Sequence, residues 1–245
     1  MKYRKHSRLF FLIRKYRYLL GALYALLYMN WFCYLEDTIV PGSRIHIMHC
    51  PADDLIPLLP VFIIPYLFWF VYVLGAIIYF AFRDPDEMAR LGISLCCGMT
   101  VCLLICTIFP NGTDVRIPAV PGSGLFSGLL WVIQRADTTT NVFPSIHVCN
   151  TLIVNSAVWH SRVFRHSPRI LSFSAVVSVL ICLSTVFLKQ HSLIDVAGGI
   201  VLARVLEVAV YQGIPVSVPA KTARRKRYLP DLQSPDTHRA AAPDP

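Results

Sequence analysis

Residues 143–195 read FPSIHVCNTLIVNSAVWHSRVFRHSPRILSFSAVVSVLICLSTVFLKQHSLID. Two apolar runs fill this stretch, a basic turn at 160–166 joins them, and His147 and His191 lie near its two ends. About 20 residues of helix cross the hydrocarbon core of a membrane once, so a chain that crosses and returns brings its two ends to the same face. Ionisable side chains are expensive to bury in apolar segments and indicate a functional site. We therefore expect His147 and His191 to meet on one side of a membrane.

The composition indicates an integral membrane protein. Hydrophobic residues make up 55% of the chain and charged residues 15%, whereas roughly a quarter of the residues in soluble domains are charged. The apolar runs predict an all-α fold, a six-transmembrane-helix bundle in one domain over 1–212, with the functional motifs in 91–211. The predicted spans are 17–35, 55–82, 91–109, 144–160, 170–188 and 191–211.

Shorter segments complete the predicted organisation. The apolar run Leu125–Ile133 is too short to span and predicts a short extra helix over the outer face. From residue 213 onward Pro, Ala and charge dominate, which predicts a basic, disordered cytoplasmic tail over 213–245. The basic start runs into the first apolar segment with no small-residue cleavage site, so we expect a retained first helix. Cys33 and Cys50 could meet outside the membrane as a disulfide, and the sequence leaves that pairing open.

The distribution of Lys and Arg predicts the orientation. With six spans, the two large outer loops, 36–54 and 110–143, contain only Arg44, Arg116 and Arg135. The positive-inside rule then places both termini in the cytoplasm and the two histidines on the extracytoplasmic face of a cell membrane. The net charge of +9 follows from this asymmetry, so attraction to anionic lipids explains it without a nucleic-acid partner. The basic segments on the other side are 2–17, 83–90, 162–169 and 221–227.

The residues around the two histidines can support nucleophilic catalysis. His191 and Asp195 are four residues apart at the start of a helical run, so they share one helix face. The carboxylate can accept a hydrogen bond from one imidazole nitrogen and leave the other as a nucleophile or base. His147 follows Pro144 near a helix N-terminus, where backbone N–H groups favour phosphate. It can act as the general acid for a leaving alkoxide, which makes His147, His191 and Asp195 the predicted catalytic residues.

Three further residues are predicted phosphate contacts. Arg116 in the outer loop and Lys189, two residues before the second histidine, can neutralise phosphate oxygens. The alternatives are a solvated loop arginine and a lysine that snorkels to the interface. Ser145 suits both a phosphate contact and a helix cap. This set requires no metal and no other cofactor. No recognised metal-ligand spacing links the residues of the first outer loop that are able to bind metals, His46, His49, Cys50, Asp53 and Asp54.

Two blocks resemble motifs of the type 2 phosphatidic acid phosphatase and vanadium haloperoxidase superfamily. Residues 143–147, FPSIH, are similar to its second motif, usually PSGH. Residues 184–195, STVFLKQHSLID, are similar to its third motif, SRxxxxxHxxxD, with the same spacing. The resemblance implies a membrane helical bundle with a phosphohistidine on His191 that Asp195 orients. It also implies that His147 protonates the leaving group.

The sequence departs from the family motifs at three points. Thr185 replaces the arginine of the third motif, and Ile146 replaces the glycine of the second. The first motif, KxxxxxxRP, survives only as Arg116. The two blocks are more similar to the branch that includes inositol phosphorylceramide and sphingomyelin synthases, in which a phospho-enzyme passes its group to an alcohol. The resemblance also implies phosphate binding by the region of Ser145.

The residues and the resemblance together predict a lipid-phosphate phosphatase, with phosphatidic acid or a polyprenyl diphosphate as substrate and membrane lipids as its surroundings. The alternative is a phosphotransferase that moves a phospho-headgroup to a lipid alcohol. A proton-coupled transporter with the same three residues as a relay is a distant alternative, because the chain lacks internal repeats and its polar residues lie at span ends. A lipid-binding scaffold without turnover is also consistent with Thr185.

Overall fold

The structure is a computed structural model that describes residues 3–40, 44–120 and 124–213, with side chains from residue 19 onward. All of these residues lie within the unit Met1–Pro215. The described residues end at Gly213, so the predicted tail over 213–245 lies outside them apart from that first residue. The described helices therefore all belong to the predicted membrane domain.

Helices dominate the described residues, at 73% helix against 3% strand. Short 3-10 helices lie at Asp53–Leu55 and Pro60–Phe62. The exception to the all-α prediction is a pair of two-residue strands, β1 (His46–Ile47) and β2 (Asn111–Gly112), which run parallel. They join the two loops predicted to lie outside the membrane, for which the name outer loops is kept. The α-helices are α1 (Tyr3–Thr38), α2 (Ile63–Arg83), α3 (Pro85–Ile108), α4 (Leu125–Ala136), α5 (Ile146–His160), α6 (Pro168–Phe187) and α7 (Leu193–Gly213).

Three helical stretches of the described chain are long and apolar enough to cross a membrane, Pro60–Arg83, Pro85–Ile108 and Pro168–Phe187. They match the second, third and fifth predicted spans. α5 has 15 residues and is therefore about 22 Å long, which is less than a hydrocarbon core of about 30 Å. α7 has 21 residues but carries three charged side chains, so a complete six-span count stays a prediction.

A single residue, Asp84, joins α2 to α3. Its side chain accepts a hydrogen bond from the backbone N–H of Glu87 at 3.2 Å and so caps the start of α3. Pro85 at the first helical position has no N–H that would need a partner. α3 therefore begins well before the predicted residue 91, and Arg90 lies within the helix instead of in a connecting loop.

α5 is the central helix, because it packs against α2, α3, α6 and α7. Most residues of α5 between Val148 and Val158 are buried, as expected for a helix surrounded by neighbours, and polar Asn150, Thr151 and Ser156 are among them. Its first turn, which carries His147, lies at the end of the bundle where the outer loops gather. The core around α5 consists of Phe80, Leu91, Leu95, Cys149, Ile153, Val154, Ala157, Val158 and Ala203.

Gly198 and Gly199 allow α7 to approach the start of α5 closely. A Cβ atom on Gly199 would lie 2.8 Å from the carbonyl oxygen of Ser145 and 3.0 Å from Cβ of Val148. A Cβ atom on Gly198 would lie 2.5 Å from the ring of Phe143. Small residues of this kind let helix backbones come together, so the two glycines set the position of the segment that carries the first histidine.

We expect Gly199→Ala to destabilise the protein by about 1–3 kcal/mol, because the added methyl group forces the α5 backbone to move. Thermal unfolding of the purified protein in detergent measures this change. Gly75→Ala is the matched control, since a Cβ atom there meets nothing within 4 Å and alanine favours helix by up to about 1 kcal/mol. Equal stability of the two variants would contradict the close approach of α5 and α7.

Candidate functional site

The structure brings His147 and His191 together, as their spacing predicts. Their ring centroids are 6.0 Å apart, with the ring planes at 60°. His147 lies in the first turn of α5, and His191 lies in the turn between α6 and α7. The two imidazoles thus lie at opposite ends of the segment that contains α5 and α6, and they meet at one end of the helical bundle.

Asp195 holds one side of the His191 ring. Its Oδ2 atom is 3.4 Å from Nδ1 of His191, within ion-pair distance but longer than a normal hydrogen bond. The same oxygen accepts a hydrogen bond from the backbone N–H of Ser192 at 2.9 Å. The carboxylate is fully buried and the imidazole is 9% exposed. Because Nδ1 faces the carboxylate, Nε2 on the opposite side of the ring is the nitrogen available for chemistry.

Asp53 fixes the turn that carries His191, and sequence reasoning missed this role. Its side chain is buried and accepts hydrogen bonds from the Ser192 hydroxyl at 2.6 Å, from Leu193 N at 2.9 Å and from Cys50 N at 2.8 Å. Burial alone would raise the pKa of Asp53, but these hydrogen bonds hold the pKa below its ordinary value. A residue of the first outer loop therefore caps α7 and anchors the second histidine.

Lys189 is tied to the same loop. Its Nζ atom donates to the backbone carbonyl of Asp53 at 2.5 Å, and its backbone has φ 55°, in the left-handed region. The side chain is buried, so it does not extend into the interface as a snorkelling lysine would. In the structure it braces the turn before His191, and its predicted contact with phosphate stays a prediction.

Arg116 is paired with Asp137, a loop residue to which the sequence assigns no chemistry. One guanidinium nitrogen donates to the Asp137 carbonyl at 2.7 Å, and another is 3.5 Å from its Oδ2 atom. The arginine side chain is only 9% exposed, which argues against a solvated loop residue. Burial raises the pKa of Asp137, while the charges of Arg116 and His191 act in the opposite direction. The carboxylate of Asp137 therefore lies within electrostatic range of the second histidine.

Two aromatic side chains of α2 form a wall against His147. The rings of Tyr66 and Trp69 have their centroids 4.6 and 4.4 Å from that of the histidine. Tyr66 is buried, and the indole N–H of Trp69 is buried without a hydrogen-bond partner. The sequence around both residues is uniformly apolar, so it carried no signal that distinguished them from lipid-facing positions.

Ser145 and Thr185 shape the two turns of the site. The Ser145 hydroxyl accepts from Val148 N at 3.4 Å and so caps α5, and its own N–H donates to the carbonyl of Asp195 at 3.1 Å. Pro144 therefore precedes the cap and does not open the helix. Thr185, where the resemblance has arginine, is buried with its hydroxyl bonded back to Cys182, and its carbonyl accepts from Gln190 N and His191 N.

Unpaired buried polar atoms are concentrated around the histidines. Most buried polar groups in proteins have a hydrogen-bond partner, so each exception calls for an explanation. Eight buried side-chain nitrogen or oxygen atoms in the described part of the chain have none, and five of them belong to this region. These five are Trp69 Nε1, Arg116 Nε, Gln190 Oε1, His191 Nδ1 and Asp195 Oδ1.

The first outer loop gives no metal centre. Across the described ranges, no group of three or more His, Cys, Asp or Glu side chains is placed to hold an ion. His49 instead lies 2.7 Å from Asp114 and 3.4 Å from Asp54, and the hydrogen bond to Asp114 raises the pKa of this imidazole. Cys33 and Cys50 are both free thiols.

The chain matches no family model, no curated protein and no solved structure. Its function is therefore inferred from the site. The histidine pair contacts the aromatic wall of α2, and Asp137, the partner of Arg116, interacts electrostatically with His191. Asp195, Asp53 and Lys189 support this arrangement from behind the second histidine.

Proposed function

We propose that this protein is an integral membrane phosphatase that hydrolyses a lipid phosphate through a phosphohistidine on His191. The observation that carries the proposal is the arrangement of one imidazole backed by a buried carboxylate and facing a second imidazole 6.0 Å away. Such a set supplies a nucleophile, the group that orients it and a proton donor. The resemblance of residues 143–147 and 184–195 to the phosphatase motifs supports the same assignment.

In the first step, the lone pair on Nε2 of His191 attacks phosphorus, and the bond from phosphorus to the ester oxygen breaks. Protonated His147 gives its proton to the departing alkoxide, so the lipid leaves as an alcohol. The carboxylate of Asp195 stabilises the positive charge that develops on the phosphorylated imidazole. The products of this step are a neutral His147, a lipid alcohol and a phosphohistidine.

In the second step, neutral His147 takes a proton from a water molecule as the water oxygen attacks phosphorus. The bond from Nε2 to phosphorus breaks, inorganic phosphate leaves, and both histidines return to their starting protonation states. A lipid alcohol in place of water would give a phosphodiester by the same bond changes. The geometry supports the two outcomes equally, so the acceptor distinguishes a phosphatase from a phosphotransferase.

Membrane placement supports a lipid substrate. The apolar helices α2, α3 and α6 are long enough to cross the bilayer, and the proposed six-span arrangement adds α1, α5 and α7. Large apolar side chains are exposed along these helices, as lipid contact requires; Phe70, Val71, Val176 and Val201 are examples. The histidines lie at one end of the bundle, the proposed extracytoplasmic end, where a lipid headgroup can reach them.

The test is a panel of lipid phosphates assayed with the purified chain, with and without added lipid alcohols. We expect release of inorganic phosphate from phosphatidic acid or a polyprenyl diphosphate, and trapping of an acid-labile, base-stable phosphoenzyme. Formation of a new phosphodiester would instead identify a phosphotransferase. Release of phosphate with no phosphoenzyme on any time scale would overturn the covalent mechanism.

Arg116 is the residue of the site best suited to bind the phosphate charge. We expect Arg116→Gln to raise KM for the lipid phosphate roughly tenfold, because a charge-assisted hydrogen bond contributes about 1.5–3 kcal/mol. Initial rates over a range of substrate concentrations measure this change. Arg135→Gln is the control, since Arg135 lies on α4 over the ring of Trp131. Equal changes in KM for the two variants would contradict a specific contact.

A further inference from the structure

A second polar cluster lies at the end of the bundle opposite the histidine pair. His160 is the last residue of α5, whereas His147 is in its first turn, so about 20 Å of helix separates them. Two adjoining cavities of about 390 and 470 Å³ open at this end, and both are lined by His160, Arg204 and Glu207. The first cavity extends along α5 past Trp159, and the second reaches Arg90 at the start of α3. The two cavities form one groove, the α5–α7 groove.

Ion pairs and stacked rings organise the α5–α7 groove. The Glu207 carboxylate pairs with Arg204 and lies 3.8 Å from Nδ1 of His160. The ring of Tyr211 stacks on His160 with centroids 3.9 Å apart, and the guanidinium of Arg90 lies over the same ring. These contacts hold the polar groups of three helices in one place, although none of them takes part in the proposed phosphatase chemistry.

Arg204 is the most exposed charged residue of the groove. The side chain of Arg204 is 72% exposed, whereas that of Glu207 is 19% exposed. Arg90 pairs with Glu87, which is buried behind it, and the Nε atom of Arg90 is buried without a hydrogen-bond partner. An anion that approaches the groove therefore meets the guanidinium of Arg204 first, and the guanidinium of Arg90, 22% exposed, lies deeper. Guanidinium is well shaped to bind phosphate oxygens.

Apolar side chains flank this basic mouth. Trp159 is half exposed beside the first cavity, and amphipathic rings of this kind are common at membrane interfaces. Val201, Val205 and Val208 form an exposed apolar stripe on α7 next to Arg204. A groove with guanidinium groups at its mouth and apolar walls beside it suits an anionic lipid better than a free anion in water.

We propose that the α5–α7 groove binds the headgroup of an anionic phospholipid from the leaflet opposite the histidine pair. The phosphate lies against Arg204 and Arg90, and the acyl chains run along the valine stripe of α7. This lipid is a bound partner and not the substrate, because the groove lies a full helix length from His147. The proposal does not depend on the phosphatase activity.

The test uses the full chain purified in detergent and its melting temperature as a function of added lipid. Dioctanoyl phosphatidylglycerol is the anionic probe, dioctanoyl phosphatidylcholine the zwitterionic control, and inorganic phosphate the free-anion control. A ligand that binds only the folded state raises the melting temperature by an amount that grows with the logarithm of its concentration above Kd, and fitting this dependence yields Kd. We expect phosphatidylglycerol to bind more tightly than phosphatidylcholine and inorganic phosphate to give no shift.

Arg204→Ala should weaken phosphatidylglycerol binding roughly tenfold, as loss of a charge-assisted contact predicts. Arg169→Ala is the matched control, because Arg169 is an exposed basic residue at the start of α6, at the same end of the bundle, and lines neither cavity. His191→Ala should bind the lipid with unchanged affinity, which separates this site from the histidine site.

Three outcomes would overturn the proposal: equal weakening in the Arg204 and Arg169 variants, a shift with inorganic phosphate as large as with the lipid, or unchanged affinity in Arg204→Ala. If Arg204→Ala does not fold, Arg204→Lys replaces it in the same assay. Lysine keeps the charge but loses the planar fork of the guanidinium. A several-fold weaker Kd in that variant supports the groove, and an unchanged Kd counts against it.

Discussion

Replacing His191 with alanine should abolish release of phosphate from every lipid phosphate that the wild-type chain hydrolyses, a loss on the order of 10⁴-fold or more. The phosphoenzyme should disappear with it, because the alanine side chain has no atom to which phosphorus can be transferred. Replacing His147 with alanine should also abolish release from lipid substrates, since an alkoxide is a poor leaving group without a proton donor. Quantification of inorganic phosphate and of acid-labile phosphoprotein measures both effects.

The two variants should differ on a substrate with a good leaving group. With p-nitrophenyl phosphate, His147→Ala should still form the phosphoenzyme, because the phenolate leaves without protonation, whereas His191→Ala should not. His49→Ala is the control, since this histidine lies in the first outer loop and pairs with Asp114. Full activity of either histidine variant on lipid substrates would remove that residue from the mechanism.

Asp53→Ala should produce the second largest effect, although Asp53 touches no reacting atom. The change leaves the Ser192 hydroxyl and the N–H groups of Leu193 and Cys50 without their acceptor. We expect a loss of stability of about 2–4 kcal/mol and a fall in kcat of roughly 100-fold, because His191 loses its fixed position. Melting temperature and initial rates at saturating substrate measure the two effects.

Asp54→Ala is the matched control, because the neighbouring carboxylate is 70% exposed and lies 3.4 Å from His49. It should keep near wild-type stability and kcat. The sign of the pH effect follows from the lowered pKa of Asp53: its stabilisation is present above the ordinary pKa of about 4 and is lost as the pH falls below it. An Asp53→Ala protein that is stable and fully active would show that the cap of α7 does not position the histidine.

Much of the helical layout was predictable from the sequence. Long apolar runs that end in basic or Pro-containing turns are typical of membrane-spanning helices. α6 was expected at 170–188 and spans Pro168–Phe187, and α7 was expected at 191–211 and spans Leu193–Gly213. The proximity of His147 and His191 was predictable for the same reason. Two consecutive spans bring the chain back to the side of the membrane from which it started.

The support of the site was not predictable. Asp53 and Asp54 are adjacent and chemically identical, yet the first is 2% exposed and the second points to solvent. Only the tertiary position of α7 makes this difference. Tyr66 and Trp69, which form the aromatic wall, lie in a run of apolar residues, so nothing in the sequence distinguishes them from their neighbours. The strands β1 and β2 have two residues each and are too short to show the alternating pattern that predicts a strand.

The bond from Asp53 to Leu193 also has a consequence for how the protein is made. Its two partners are 140 positions apart in the chain, so the ribosome delivers the carboxylate long before the N–H of Leu193 that it accepts from. Until Ser192 and Leu193 are synthesised, that carboxylate lacks two of its three hydrogen-bond donors, and the turn that carries His191 is not held by Asp53. A chain shortened to end before residue 192 would therefore leave the Asp53 carboxylate, of these three hydrogen bonds, with the one from Cys50 alone.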